Sequence, residues 1–464
     1  MTLKQTAIAI AAVATAFTAS GCHVNEGANE GTPEVVVDPA ESWALKMAHS
    51  HGIGDFDCNT KHRDSLATTP WDYVGGLVAS SVLEAWRMHP TDTALIEAVE
   101  GFANLATSAD GTSITKNGKE ALQPSNIDDL AAARIYFGLY DYAISQGDTV
   151  SAHRWKTAAT EVRNKLKYNH NRIAEGLPGA GGFWHKLRYP NQMWLDGLFM
   201  GPAVYARWQA KWGMELGESD NTESWSDIAL QFKILYEKTY DAESHLNYHG
   251  WSATPDDENS FWAKKEEPNM GCNAEVWARA MGWYVGALTD VLELMPASHP
   301  DRDALISMYR QSASDLMARQ DTATGLWFNL LKYDGSISAD GKGDTVDGQT
   351  YNVGTRQNYT ESSASAMFAY VLMKGARLGL LDTTAAQAGR RAFEGLLANK
   401  IVDEGDGKIG IKDICASAGL GPASDKSRTG TLNYYLEGTD TGLVKSNEGK
   451  GIGTFILAAT EYER

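Results

Sequence analysis

The sequence predicts an all-α protein, an (α/α)6 barrel of six inner and six outer helices, and two observations carry that expectation. From Ser42 onward about twelve helix-like segments alternate in character, one amphipathic and charged, the next apolar almost all round. The apolar set is also rich in Gly, Ala and Ser. A helix without a polar face is a buried helix, and small residues let buried helices approach closely. Strict alternation of exposed and buried helices therefore gives two concentric rings.

Taken in order, SWALKMAHSH opens the outer ring, and WDYVGGLVASSVLEAW, with paired Gly and paired Ser, opens the inner one. TDTALIEAVEGFANLA is amphipathic, and NIDDLAAARIYFGLYDYA is apolar after its two acids. SAHRWKTAATEVRNKL is charged, whereas QMWLDGLFMGPAVYARW carries a single acid among apolar residues. SWSDIALQFKILYEKTY precedes EVWARAMGWYVGALTDVLELM, and RDALISMYRQSASDLMARQ precedes ESSASAMFAYVLMKGARLG. TTAAQAGRRAFEGLLANK and GKGIGTFILAATEY complete the rings. No sequence repeat of 20 to 50 residues accompanies this rhythm.

A chain of 464 residues suggests two or three domains by length, but the alternation makes residues 41–464 a single barrel. Residues 1–21 read as a lipoprotein signal peptide: MTLKQ supplies a positive charge, and TAIAIAAVATAFTA is apolar but too short to span a membrane. Ala19-Ser20-Gly21-Cys22 is similar to a bacterial lipobox, with Cys22 as the lipidated residue and Ala19 where Leu is usual. Residues 22–40 form an acidic flexible tether. The expected location is the bacterial periplasm or cell surface, with membrane contact only through an anchor at Cys22. Cys58, Cys272 and Cys415 then remain, enough for at most one disulfide.

The formal net charge of −18 and the lack of a basic stripe exclude nucleic acid as a partner. There is no HExxH, phosphate-binding glycine loop, GxSxG or CxxC, so metal hydrolysis, nucleotide chemistry and a serine nucleophile lose ground. Asp334, Asp340, Asp344 and Asp347 in YDGSISADGKGDTVDGQT do not have EF-hand spacing and read as a solvated hairpin. No metal or cofactor is expected.

Chemistry is sought where the inner helices begin, because in such a barrel those ends share one mouth. Asp196 interrupts YPNQMWLDGLFM, and burying a carboxylate is costly unless it is paired or reactive. It is either satisfied by a neighbouring Arg or His, or kept protonated by its tryptophan-rich surroundings and able to donate a proton near neutral pH. On a helical wheel Gln192 and Phe199 share its face. Asp128 and Asp129 are either helix-start acids behind a Ser125 or Asn126 cap, or supply a second carboxylate facing Asp196. Arg279 either pairs with Glu275 or binds a substrate carboxylate, with Trp277 and Trp283 offering faces to a sugar. His249 reads as a loop histidine, and His185 and Lys186 follow a Gly-rich turn that brings them near Asp196. Fourteen Trp in the chain, several beside polar residues, favour carbohydrate.

GGFWHKLRYPNQMWLDGLFMGP, EVWARAMGWYVGALTDVLELMP, NYTESSASAMFAYVLMKGARLG, CASAGLG and KGIGTFILAATEYER together resemble glycoside hydrolase family 105, from about Ser42 to the C-terminus. This is the unsaturated rhamnogalacturonyl hydrolase family, related to the unsaturated glucuronyl hydrolases. The resemblance implies an (α/α)6 barrel without metal that acts on unsaturated uronic-acid oligosaccharides left by polysaccharide lyases, either from rhamnogalacturonan or from ulvan. It implies protonation of C4 of a C4=C5 enol ether, addition of water at C5, and collapse of the hemiketal. By the same resemblance Asp196 is the proton donor and Asp128 the second carboxylate. Tyr73, Lys186, Trp194, His249, Trp277, Arg279 and Trp283 match substrate-pocket positions. Ser252 departs from the family pattern, which often has Asp after HGW. A lyase or epimerase on the same barrel and a sugar-binding lipoprotein are the alternatives.

Overall fold

A computed structural model describes residues 42–59 and 61–464. The expected leader, the tether and Cys22 lie outside the described residues. Six helices form the outer ring: α1 (Trp43–Met47), α3 (Thr93–Ala106), α5 (Thr149–Asn164), α8 (Glu218–Thr239), α10 (Arg302–Ala318) and α12 (Thr383–Asn399). The inner ring comprises α2 (Tyr73–Met88), α4 (Arg134–Ser145), the broken pair α6 (Leu195–Met200) and α7 (Pro202–Trp212), α9 (Ala278–Leu294), α11 (Ser362–Arg377) and α14 (Gly449–Glu463). A short helix, α13 (Leu432–Glu437), lies in the loop before α14.

Contacts between elements run α2 to α4, α4 to α7, α6 and α7 to α9, α9 to α11, α11 to α14, and α14 back to α2, which closes the inner ring. Each outer helix from α3 onward packs on the inner helix that precedes it, as in α2 with α3, α4 with α5 and α11 with α12, while α1 packs on α14. The described residues form an (α/α)6 barrel. The small residues of the inner set have the role expected of them: a Cβ at Gly76 of α2 would lie 2.4 Å from both Cα and Cβ of Ala132. The helices there touch backbone to backbone.

Two inner segments start differently from the sequence expectation. Residues 127–133 are a 3-10 helix, and the α-helix begins only at Arg134. Gln192–Trp194 is a strand, paired antiparallel with Gly250–Ser252, so the helix holding Asp196 begins at Leu195. Gln192 therefore does not share a helical face with Asp196. The strand wins because its partner lies some sixty residues away, beyond the reach of a local helical wheel.

In YDGSISADGKGDTVDGQT, Asp344–Val346 and Gln349–Tyr351 form the expected hairpin. Asp334 and Asp340 accept hydrogen bonds within their own turns, from Ser336 and from the backbone of Lys342 and Gly343. Asp344 is not merely solvated: it accepts from Asn352, Thr429, Thr431 and Asn433, fastening the hairpin to the segment before α13. Cys58, Cys272 and Cys415 are all buried free thiols.

Candidate active site

The N-terminal ends of the inner helices meet at one mouth, and buried carboxylates cap several of them. Asp72 accepts from the Gly75 amide at the start of α2, Glu361 from Ala364 at α11, and Glu448 from Lys450 at α14. Such acids answer unpaired amides and the positive end of the helix dipole. Asp196 differs. It is the second residue of α6, the preceding Trp194 makes no side-chain cap, and the Asp196 carboxylate is spent on no backbone amide.

The strand pair sets what Asp196 meets. The Leu195 amide donates to the His249 carbonyl at 2.9 Å, which brings the imidazole against Asp196. Gly250 permits this register, because a Cβ there would lie 2.8 Å from the Trp194 ring and 2.6 Å from Leu420. His249 is not solvated, as the sequence suggested, but fully buried; strand pairing and the indole rings cover it. Its Nε2 lies 3.0 Å from Asp196 Oδ2, at ion-pair distance but not directed as a good hydrogen bond, and neither atom has another partner among the described residues. The distance decides that the two groups interact; the poor direction leaves both open to a third group.

A hydrogen-bond chain fixes the imidazole. The Gly250 amide donates to Asn273 Oδ1 at 3.0 Å, which orients the Asn273 amide. Asn273 Nδ2 then donates to the Tyr435 hydroxyl at 3.3 Å, leaving the phenol proton for His249 Nδ1 at 2.7 Å. The network thus assigns the imidazole proton to Nε2, facing Asp196. Burial, then the nearby Asp196 charge, holds the Tyr435 hydroxyl well above the ordinary phenol range.

Asp128 and Asp129 are sent in different directions. Asp129 pairs with Lys116 at 2.6 Å and accepts from Asn126 at 2.7 Å. Asn126 caps the turn through the Asp128 amide, as expected of it. Asp128 itself turns to Lys186 Nζ at 2.5 Å and His185 Nε2 at 3.5 Å. Burial pushes the Asp128 carboxyl up, but Lys186 and then His185 outweigh it and leave it below its ordinary value. Burial also pushes His185 down to about 4, so His185 is neutral at physiological pH and Lys186 balances the Asp128 charge. Side-chain exposures of 13% for Asp128, 19% for Lys186 and 11% for Asp196 show that these tips reach the mouth.

The aromatic residues line the same place. Trp194 stacks on His185 with ring centroids 4.2 Å apart and lies 4.7 Å from Tyr189. Trp277 is 5.0 Å from His249 and donates Nε1 to Asn329. Tyr73, at the start of α2, is half-buried; burial first and then Asp128 push its hydroxyl well above the ordinary range. Arg279 does not pair with Glu275, which takes Lys332 at 3.1 Å. Arg279 instead reaches Ser363, the Cys415 carbonyl and Glu361 at 3.7 Å, and lies over the Trp277 ring. Trp283 sits a turn deeper, fully buried 4.7 Å from Phe199. Ser252 is buried and accepts from Ser260 at 2.8 Å. Tyr435, Asn273 and Tyr189 were not singled out in the sequence. Among the described residues no group of three or more His, Cys, Asp or Glu is placed to hold a metal ion.

A carboxylate and an imidazole meet at the mouth of a helical barrel, and comparison with known proteins decides the family. The description of Glycosyl Hydrolase Family 88 matches residues 53–340 and 349–464. The chain belongs to that family. It is a glycoside hydrolase. A solved glycoside hydrolase of family 105 from C. acetobutylicum ATCC 824 superposes with a TM-score of 0.72 at 30% identity, covering 91% of this chain and 99% of that one. The family 105 resemblance of the sequence motifs thus holds. Protein Atu3128 of Agrobacterium fabrum is 34% identical over 257 residues, 54% of this chain and 95% of its own length. An unsaturated rhamnogalacturonyl hydrolase of Bacillus subtilis is 24% identical over 309 residues, 66% of this chain and 72% of its own.

Proposed function

We propose that this hydrolase removes the terminal 4,5-unsaturated uronic acid from lyase-generated oligosaccharides in which that ring is linked to rhamnose, as in fragments of rhamnogalacturonan or ulvan. The observation that carries the reading is the Asp196 carboxylate, unspent on any cap, 3.0 Å from an imidazole whose proton faces it. Asp196 enters the reaction in its protonated form and delivers that proton to C4 of the enol ether. The oxocarbenium character that develops at C5 is met by water, and Asp196, now a carboxylate, takes a proton from that water. The hemiketal opens and releases the neighbouring sugar. His249 steadies the carboxylate that forms between the two steps, and Asp128, charged and paired with Lys186, positions the sugar or the water. Tyr73, Trp194, Trp277 and Arg279 form the walls, and Trp283 packs behind them. The similarity to a rhamnogalacturonyl hydrolase supports the rhamnose-linked substrate. The lipobox-like Cys22 supports a lipid-anchored enzyme of the periplasm or cell surface.

The test follows the ultraviolet absorbance of the C4=C5 bond with unsaturated disaccharides from each polymer. Wild type is expected to bleach at least one of them. Asp196→Asn, folded by circular dichroism, is expected to be slower by at least about a hundredfold. Near-normal turnover in that variant would remove Asp196 from the reaction.

A further inference from the structure

Away from the mouth, α2, α4, α9, α11 and α14, with Phe199 and Arg207, line a second cavity of about 260 Å3. Its floor is built around Asp290 of α9, a buried carboxylate that meets three cations: Arg134 at 2.9 Å, Lys374 at 3.0 Å and Arg207 at 3.2 Å. Tyr370 donates its hydroxyl to the same group at 3.1 Å. Nearer solvent, Arg377 and Arg464 share Glu461, and Lys374 has Glu293 at 2.8 Å.

The charges do not cancel. Of the sixteen lining residues, six are Lys or Arg and four are Asp or Glu, in a chain whose formal net charge is −18. Two of the cations are themselves buried: the Arg134 and Lys374 side chains are 5% and 6% exposed. Nε of Arg134 and Nε of Arg207 are buried with no hydrogen-bond partner among the described residues. A buried donor without an acceptor and a buried cation without its full counter-charge are both costly. An added anion supplies the missing counter-charge.

We propose that this cavity binds a compact tetrahedral oxyanion of the sulfate or phosphate class, held by Arg134, Arg207 and Lys374, with Arg377 at the entrance. The volume exceeds that of a few ordered waters and admits one such ion with part of its hydration. Planar guanidinium groups suit its oxygens, and Lys374 adds a point charge. The site shares no residue with the carboxylates of the mouth, so it stands whether or not the proposed reaction is right.

The experiment is calorimetric titration of the folded chain with sulfate, phosphate and galacturonate, with chloride at matched ionic strength as control. Saturable one-to-one heat is expected with sulfate or phosphate and none with chloride. Arg377→Gln, at a partly exposed position and checked for folding by circular dichroism, should weaken binding roughly tenfold. Glu293→Gln, which removes a competing carboxylate from Lys374, should tighten it severalfold. Lys186→Met at the mouth should leave it unchanged. Absence of saturable heat overturns the proposal. So does binding that is insensitive to Arg377→Gln, or lost in Lys186→Met, or tighter for galacturonate than for either tetrahedral ion.

Discussion

The Tyr435 hydroxyl sits 2.7 Å from Nδ1 of His249, and that contact decides which face of the imidazole carries a proton toward Asp196. The phenol donates because Asn273 already donates to it. Tyr435→Phe lets the ring adopt the other tautomer while leaving the packing intact. One neutral hydrogen bond is worth roughly 1 kcal/mol, so kcat is expected to fall about five- to tenfold, with a small change in melting temperature. Steady-state kinetics beside thermal unfolding read both. A large loss of stability with unchanged kcat would make the contact merely structural.

Lys186 at 2.5 Å is what keeps Asp128 ionised into the acid range against its burial. Lys186→Met leaves burial unopposed except by His185 and more distant charges. The Asp128 carboxyl then titrates higher, and the acid limb of the kcat/KM profile is expected to move toward higher pH. The profile of the variant, measured across the acid range, gives the answer. An acid limb that stays in place would show that Asp128 does not control that limb.

Two buried histidines make the fold acid-sensitive. Burial pushes His170 and His185 down to about 4 from an ordinary 6.5, so the unfolded chain binds more protons between those values. Stability is therefore complete above 6.5 and declines as pH falls toward 4, by roughly 1.4 kcal/mol per pH unit for each histidine. His170→Asn removes one of the two. Urea unfolding at several pH values should show a shallower pH slope in that variant; an unchanged slope would exclude His170 as a source.

Gly76 is where α2 touches residues 127–133 without any side chain between them. Gly76→Ala places a methyl 2.4 Å from the Ala132 backbone, which must move. Overpacking of this kind costs about 1–3 kcal/mol. The urea midpoint is expected to fall accordingly, and a rise would show that the two elements slide apart freely.

The architecture was legible because it is written in local periodicity: the segments read as outer and inner helices are found in those rings. Asp196 was legible for a related reason, since an acid inside an apolar run calls for an explanation. The surroundings of Asp196 were not. The strand at Gln192–Trp194 depends on Gly250–Ser252, and Arg279 passes over Glu275, which lies before α9 begins, for Glu361 and the Cys415 carbonyl. His249 looked solvated because its cover comes from Trp277 and Tyr435, remote in sequence. Tyr435 lies in a six-residue helix without a periodic signal, and only the register of His249 gives it meaning. Contacts of that separation are set by topology, which local patterns do not encode.

The closure of the inner ring also governs the order in which the molecule can be made. α14 completes the wall between α11 and α2, and beside it the Ser42 hydroxyl donates to Glu463 at 2.6 Å across 421 positions of sequence. While the chain is still emerging from the ribosome, α2 and α11 have no neighbour on that side and their apolar faces stay in water. The nascent protein thus keeps a seam open until α14 arrives, and its exposed apolar faces call for shielding until then.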